Sequence, residues 1–459
     1  MKIIVAGAGA GKTTSMAESV LERIKEGTDG KIVYVISYTN AARDCIRQKV
    51  IELNGSIPKN LFIETLHVFL LKEFIYPFHH LLYGQQYTKA IQIKLPIQPW
   101  FRSPKLQQLH HDKIIHVSEV TQTARWVVFK KTGDNRQIRE KREKILGIVS
   151  KYLDSIYIDE AQDIDEHLLK VVGTLDGKGI NICLVGDPKQ DLRGVNVFKK
   201  LVAEHHEHVK YISENYRCPK LHIRLANLYI SEAEKQIPQT EASGELNYVF
   251  EKDIDINRFA KIEDWDHVFI SKKNARFITH GKDKNEVQQN LAYELKSVVI
   301  KTEVPERLVD KYVYDMQKKI LKNLVTLNDI QLFSMLEGLL GSRLEGQDKG
   351  RLRESFRIMR ENPNVSGLLV KSIDSIKGLE GDRCLFIVTT DLASYLFGEK
   401  TGQNKMLNYL YVALTRSREK LVLLITNEVE AKYSRATIDA FFNSIFSIKE
   451  ERSKETTLV

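Results

Sequence analysis

The chain alternates short, almost continuous apolar runs with stretches in which apolar residues recur at helical spacing. Lys2 to Val5, Lys31 to Ser37, Asn60 to Ile63, Ser155 to Ile158 and Asn181 to Val185 are too evenly apolar for half-exposed strands. They read as strands of a parallel sheet covered on both faces. Between the first two, Met16, Ala17, Val20, Leu21 and Ile24 fall on one helical face, and Ala41 to Leu53 predicts a second helix. A second set of such runs follows at Val268 to Ser271, Gly367 to Lys371, Cys384 to Thr389 and Leu421 to Thr426. Strands alternating with helices predict an α/β fold with two parallel sheets, each binding ligand at the carboxyl ends of its strands. Two stretches break the alternation, one running to about residue 150 and one at about residues 278–366. The second is mostly helical in pattern, as at Val309 to Val325 and Ile330 to Leu340. The polar tail from Lys449 is expected to fray.

Composition narrows the class. The 459 residues have room for two or three domains, and 42% hydrophobic with 28% charged residues is ordinary for a globular protein. Cys45, Cys183, Cys218 and Cys384 are scattered without metal or disulfide spacing, which fits a reducing compartment. No apolar run reaches the roughly 20 residues that span a bilayer, and the first is too short for a signal peptide. The expectation is a cytoplasmic protein without a membrane partner. Formal charge is +9, and between His79 and Ser150 there are 13 Lys/Arg against 5 Asp/Glu. Tyr83, Tyr87, Trp100, Phe101, Trp126 and Phe129 are interleaved there. Basic groups with exposed rings suit a phosphate backbone and unstacked bases, with Lys130, Lys131 and Arg136 as candidate contacts. A solvated basic face with those rings in a local core fits the same pattern.

The first strand runs straight into Ala6-Gly7-Ala8-Gly9-Ala10-Gly11-Lys12-Thr13-Thr14, and a helix follows. Strand, glycine-rich loop and helix form the context of a phosphate-binding loop, in which backbone N–H groups turn inward around a polyphosphate. Lys12 can then reach the β- and γ-phosphates, and the Thr13 hydroxyl can ligate Mg²⁺. At the end of a later strand stands Asp159-Glu160-Ala161-Gln162-Asp163. Asp159 is placed to hold Mg²⁺ through water, and Glu160 to align and deprotonate the attacking water. A glycine-rich turn and an acidic helix cap are the plainer readings of these two stretches.

DEAQD and Val185-Gly186-Asp187-Pro188-Lys189-Gln190 resemble motifs of superfamily 1A helicases of the UvrD/Rep type. Ser37-Tyr38-Thr39-Asn40-Ala41-Ala42 resembles the family's TNxAA motif, and Glu64-Thr65-Leu66-His67 its GTxH motif. Asn215-Tyr216-Arg217 resembles NYR, Ser372 to Glu380 the KGLE motif, and Tyr411 to Arg416 the YVAxTR motif. The resemblance covers nearly the whole chain, with the motifs in the family's order. It implies two RecA-like domains, the first from residues 1–78 and 151–215 and the second from 216–277 and 367–448. A basic helical insert at 79–150 and a reduced one at 278–366 interrupt them, and 449–459 is a flexible tail.

The resemblance also implies ATP and Mg²⁺ as cofactors. Gln190 is the γ-phosphate sensor and Arg217 and Arg416 approach the γ-phosphate from opposite sides. Tyr216 stacks on adenine, while Gly378 and Glu380 line the nucleotide. Thr39, Asn40, Thr65, His67 and Ser372 touch single-stranded or partly duplex DNA. The compact inserts resemble the helicase subunit of bacterial Gabija-type anti-phage defence, which works with an OLD-family nuclease.

Departures from the family pattern are expected to weaken DNA coupling. The upstream glutamine segment that reads adenine has no counterpart, so base selection rests on Tyr216. Only Asp191 and Leu192 precede Arg193-Gly194, where a base-stacking ring is usual. Asp374 replaces a histidine beside the DNA path, and Gly381 replaces an aromatic. The expected activity is 3′→5′ DNA translocation or unwinding. The alternatives are an ATP-driven DNA sensor that switches on a nuclease, a repair helicase, and a structural scaffold, which the intact ATP residues oppose.

Overall fold

The computed structural model describes residues 1–96, 98–262, 264–274, 276–279, 284–324, 326–360 and 368–447. The tail from Lys449 and the boundary residues Val325 and Gly367 lie outside the described residues. Two six-stranded sheets dominate, and every strand pairing in them is parallel.

The first sheet comprises β1 (Lys2–Ala6), β2 (Ile32–Ser37), β3 (Leu61–Thr65), β4 (Leu153–Ile158), β5 (Asn181–Gly186) and β6 (Val209–Ile212). Their spatial order is β3-β2-β4-β5-β1-β6. Helix α1 (Lys12–Glu26) buries Met16, Ala17, Val20 and Leu21, the predicted face, against Ile4, Val33, Val35 and Ile63 of this sheet. Helix α2 (Asn40–Asn54) adds Ile46 and Val50 to the same cluster. Register aligns Ile4 with Val185, Ile36 with Ile158, and Ser37 with Thr65. The phosphate loop, TNxAA, GTxH, DEAQD and GDPKQ segments therefore all leave the sheet at its carboxyl edge.

The second sheet comprises β7 (Glu245–Phe250), β8 (His267–Ile270), β9 (Phe277–Thr279), β10 (Leu368–Ser372), β11 (Gly381–Val388) and β12 (Ser417–Ile425), in the order β7-β12-β11-β8-β10-β9. Side chains alternate between two cores. Cys384, Phe386 and Val388 join one with Leu421, Leu423 and Ile425, while Leu385 and Ile387 join the other with Val422 and Leu424. Both faces are thus buried, which is why these strands are apolar without interruption. Within these two sheets, three described strands have no counterpart among the predicted runs: β6, β7 and β9. All three lie at sheet edges, and β6 and β7 are partly exposed and correspondingly polar.

The chain groups into two compact units, one of Met1–Leu82, Thr121–Thr279 and Gly367–Val459, and one of Tyr83–Val120 and His280–Ser366. Both sheets belong to the first. Part of the basic insert drawn at 79–150 therefore packs with the sheets, and the rest joins the second insert. The second unit has its own core, in which Leu295, Val313, Ile320, Leu336 and Phe356 meet. Its two sequence-distant pieces are tied by an ion pair between half-buried Lys105 and buried Glu294, Nζ to Oε1 at 2.7 Å. Among the described residues no helix is long and apolar enough to cross a membrane.

Candidate active site

After β1 the backbone turns through Gly9 and Gly11, whose φ values of +74° and +69° belong to the left-handed region that favours glycine. Ala6, Gly7, Ala8 and Ala10 are buried, and Lys12, Thr13 and Thr14 open α1 half-buried. Lys12 Nζ donates to the loop's own carbonyls, Ala6 at 3.2 Å and Gly7 at 3.1 Å. The ammonium is thus held against the loop.

β4 delivers Asp159 and Glu160 beside this loop. Burial and the neighbouring Glu160 push the Asp159 carboxyl up to about 7, with Lys12 opposing the shift. Glu160 adopts φ +53°, a strained backbone for a residue with a side chain, and its N–H donates to Asp159 Oδ1 at 2.9 Å. The Gln162 amide donates to the Glu160 carboxylate, and its carbonyl accepts the Asp187 N–H at 2.9 Å. Gln190 Nε2 donates to Asp187 Oδ2 at 2.9 Å. Burial pushes Asp187 up, but Lys189 and Lys12 outweigh it and hold the carboxyl below its usual range.

The Thr13 hydroxyl and the buried Asp159 carboxylate are hard oxygen donors, and that carboxylate ionises reluctantly without a cation. This donor set fits Mg²⁺. A testable consequence follows for the metal-free protein. The folded pKa of Asp159 lies above its ordinary value of 3.8, so folding takes up a proton between about pH 4 and pH 7. The associated stability is present below that window and lost as pH rises through it. Asp159→Asn should therefore raise the melting temperature by a few degrees at pH 8 in EDTA, and not at pH 4, by scanning calorimetry. An equal shift at both pH values would contradict the burial argument.

Two arginines stand near these groups, Arg416 on the second sheet and Arg217 in the segment that follows β6 of the first. Arg416, just before β12, is 1% exposed, and its guanidinium bonds only the Val412 and Leu379 carbonyls and the Thr415 hydroxyl among the described residues. Burial, then the neighbouring Arg217, draw it down to about 10, and Glu160 is among the charges it feels. Arg217 pairs with Glu380. Gly381 N donates to the Arg416 carbonyl at 3.2 Å, bringing the KGLE and YVAxTR segments together. A Cβ at Gly381 would lie 2.6 Å from Asp266 Cβ, so this position excludes the family's aromatic. Tyr216 is 66% exposed, its ring beside Gly11 and its N–H donating to the Gly9 carbonyl at 2.8 Å. Gly378, also exposed, turns at φ +80°.

Direct bonds join the elements of the two sheets. Lys377 Nζ reaches Asp163 at 2.7 Å, and Asn408 Nδ2 donates to the Asp191 carbonyl at 3.0 Å. Lys189 pairs with Asp187 at 3.1 Å and Glu234 at 3.3 Å and lies 5.4 Å from the centre of the Tyr411 ring. Ala8 is held through both of its backbone groups. Its N–H donates to the Tyr411 hydroxyl at 3.2 Å, and its carbonyl accepts from Asn215 Nδ2 at 2.6 Å and Gln236 Nε2 at 3.0 Å. Among these, Gln162, Asn215, Gln236 and Tyr411 were not sequence candidates. The first, second and fourth stand inside the quoted motifs, but Gln236 carries no local signal.

The candidate DNA residues are dispersed. Thr39 caps α2, accepting the Ala42 N–H at 3.1 Å, and Asn40 and His67 are exposed beside half-buried Thr65 on the carboxyl edge of the first sheet. Ser372 ends β10 level with Ile387, while Glu380 and Arg416 sit at the opposite, amino edge of the second sheet, roughly 20 Å away along β11. Lys130, Lys131 and Arg136 surround the turn between the helices Val120–Val128 and Arg136–Tyr152. Lys131 lies over the Trp126 ring at 4.3 Å, Lys130 over Phe129 at 5.2 Å, and Arg136 pairs with Glu140 at 2.7 Å. Those two rings thus carry lysines, and Tyr87 is buried, whereas Trp100 and Phe101 are 66% and 59% exposed.

Two departures acquire a structural account. Asp374 accepts the Tyr409 hydroxyl at 2.7 and 2.8 Å, so it is a hydrogen-bonded carboxylate rather than a bare anion. After Gln190, Asp191 accepts the N–H groups of Arg193, Gly194 and Asn196 at 3.0, 2.7 and 2.7 Å, and Leu192 is buried.

Residues 1–195 match a protein family described as an AAA domain. The chain is also similar to Gabija protein GajB of Bacillus cereus (strain VD045), 24% identical over a gapped alignment of 490 positions that covers 94% of each protein. The parallel sheets and the phosphate loop agree with both findings. The chain is thus an α/β protein with two parallel sheets of the RecA-like P-loop NTPase kind, with an AAA domain match over residues 1–195 and similarity to Gabija protein GajB over 94% of its length.

Proposed function

We propose that this chain hydrolyses ATP with Mg²⁺ to drive 3′→5′ movement on single-stranded or partly duplex DNA, in anti-phage defence together with a partner nuclease of the OLD family. The observation that carries the reading is Arg416, a buried guanidinium without a carboxylate partner among the described residues. A fixed cation with no resident anion is suited to meet charge that arrives with a ligand.

In this reading Gly7, Gly9, Gly11 and their neighbours cradle the phosphates. Lys12 leaves the loop carbonyls for the β- and γ-phosphates. Thr13 and Asp159 would hold Mg²⁺, which neutralises phosphate charge. Glu160 takes the proton of the attacking water, and release from the Gln162 amide would free its carboxylate. Gln190 senses the γ-phosphate through Asp187. Arg217 exchanges Glu380 for the phosphate and joins Arg416 in spreading over the transition-state charge. Tyr216 stacks on the base, with Gly378 and Glu380 at the ribose side. Because Arg416 and the phosphate loop stand on different sheets, filling and emptying the site changes the balance of forces between them. Thr39, Asn40, Thr65, His67 and Ser372 follow the strand.

A second reading, an ATP-driven DNA sensor that activates the nuclease with little unwinding, is favoured by the loop after Gln190. It is wound around the Asp191 carboxylate and offers buried Leu192 instead of a stacking ring. DNA-dependent ATP turnover and strand displacement by the purified chain separate the two. Turnover with displacement supports a motor, turnover without displacement supports the sensor, and no DNA stimulation refutes both.

The basic turn is tested separately. Reversing charge at Lys130, Lys131 and Arg136 should weaken single-strand binding and lower the slope of log affinity against log salt by about two. An unchanged slope in fluorescence titrations would put the strand elsewhere.

A further inference from the structure

Gln236 lies outside every motif, yet it is 3% exposed and built into the phosphate loop. Asn227 fixes its backbone from both sides: Gln236 N donates to Asn227 Oδ1 at 3.0 Å, and Asn227 Nδ2 donates to the Gln236 carbonyl at 2.9 Å. Its side chain donates to the Ala8 carbonyl at 3.0 Å and accepts from Asn215 Nδ2 at 3.0 Å. Asn215 in turn accepts the N–H groups of Arg217 at 2.9 Å and Cys218 at 2.8 Å. One hydrogen-bonded chain thus links the loop to the backbone of Arg217.

Gly7 supplies an independent observation. A Cβ there would lie 1.9 Å from Gln236 Nε2 and 2.7 Å from its Cδ. Gly7 is not among the glycines with positive φ, so the backbone itself would accept alanine. The atoms nearest to that space are those of the Gln236 amide and, at 3.2 Å, the Tyr411 hydroxyl.

We propose that Gln236 is a positioning residue for nucleotide binding, which aims the Gly9 N–H into the phosphate cradle by holding the Ala8 carbonyl, and that position 7 is glycine to admit it. A trans peptide points its C=O and N–H in opposite directions. Fixing the Ala8 carbonyl outward on Gln236 and Asn215 therefore turns the Gly9 N–H toward the concave side of the loop, where an anion is bound. The inference rests on the reading of this loop as a triphosphate site.

The test compares wild type, Gly7→Ala, Gln236→Ala and the double variant, by steady-state ATP hydrolysis and by thermal unfolding without nucleotide. Gln236→Ala should raise KM for ATP about tenfold while kcat changes less than about threefold. Gln236→Glu, which keeps the volume but loses the donor, should do the same. Gly7→Ala alone should lower kcat/KM by about tenfold or more and lower the melting temperature, and both penalties should largely vanish when Gln236 is alanine. An unmoved KM in both Gln236 variants, or equal penalties for Gly7→Ala in both backgrounds, would overturn the proposal. The unfolding arm needs no turnover. If wild type and Lys12→Ala hydrolyse ATP alike, the triphosphate reading fails, and the melting temperatures still decide whether the two positions compete for one space.

Discussion

Glu160→Gln is expected to reduce ATP hydrolysis by about 10² to 10⁴-fold while leaving nucleotide binding within a few-fold of wild type. The substitution keeps the side-chain shape but removes the oxygen that would accept a proton from water. Asp159, Lys12 and Thr13 are untouched, so the groups that would hold phosphate and metal remain. The backbone of residue 160, held at φ +53° with its N–H on Asp159, has no reason to move. Single-turnover hydrolysis with binding measured alongside by fluorescent nucleotide checks this. A variant that keeps more than about a tenth of the rate would remove Glu160 from the chemistry. Lys12→Ala differs in kind, because it should lose affinity as well as rate.

Arg416→Met should lower turnover by about 10³ to 10⁵-fold and yet leave the nucleotide-free protein as stable as wild type or more so. The activity loss would follow from withdrawing a buried cation that, in the proposed mechanism, meets the phosphate charge. The stability expectation follows from burial. The guanidinium is enclosed without a carboxylate among the described residues, and its protonated state is drawn down to about 10 by burial and Arg217. Replacing an unpaired buried charge with an apolar side chain of similar length relieves desolvation and repulsion. The hydrogen bonds to Val412 and Leu379 carbonyls are lost in exchange. A large drop in melting temperature would mean that Arg416 is a structural strut. Unchanged turnover would mean that it does not face the reacting phosphate.

The sheet interiors were legible in the sequence because strands buried on both faces must be apolar at every position. Val33, Val35, Leu385 and Ile387 admit no other reading once the helical spacing between them is seen. Edge strands such as β6 and β7 carry no such constraint and were missed. The phosphate loop and the DEAQD carboxylates were legible for another reason: a polyphosphate and a metal dictate residue type and spacing over a few consecutive positions. Contacts between distant segments obey no local rule. Gln236 reaches Ala8 across 228 positions and Tyr411 reaches it across 403, so neither contact leaves a periodic trace. The same limit explains Asp374, whose meaning depends on a tyrosine 35 residues away. Charge counting located the basic segment but could not tell that Trp126 and Phe129 support lysines while Trp100 and Phe101 stand exposed.

The account turns on one phosphate chain being met from both sheets. The most direct measurement is an experimental structure of the chain with ADP, Mg²⁺ and an aluminium fluoride mimic of the transferring phosphoryl group. Lys12 Nζ and the Arg416 guanidinium should then both lie within hydrogen-bond distance, about 3 Å, of the fluoride group. Finding either one more than about 6 Å from it, with the other in place, would contradict the account.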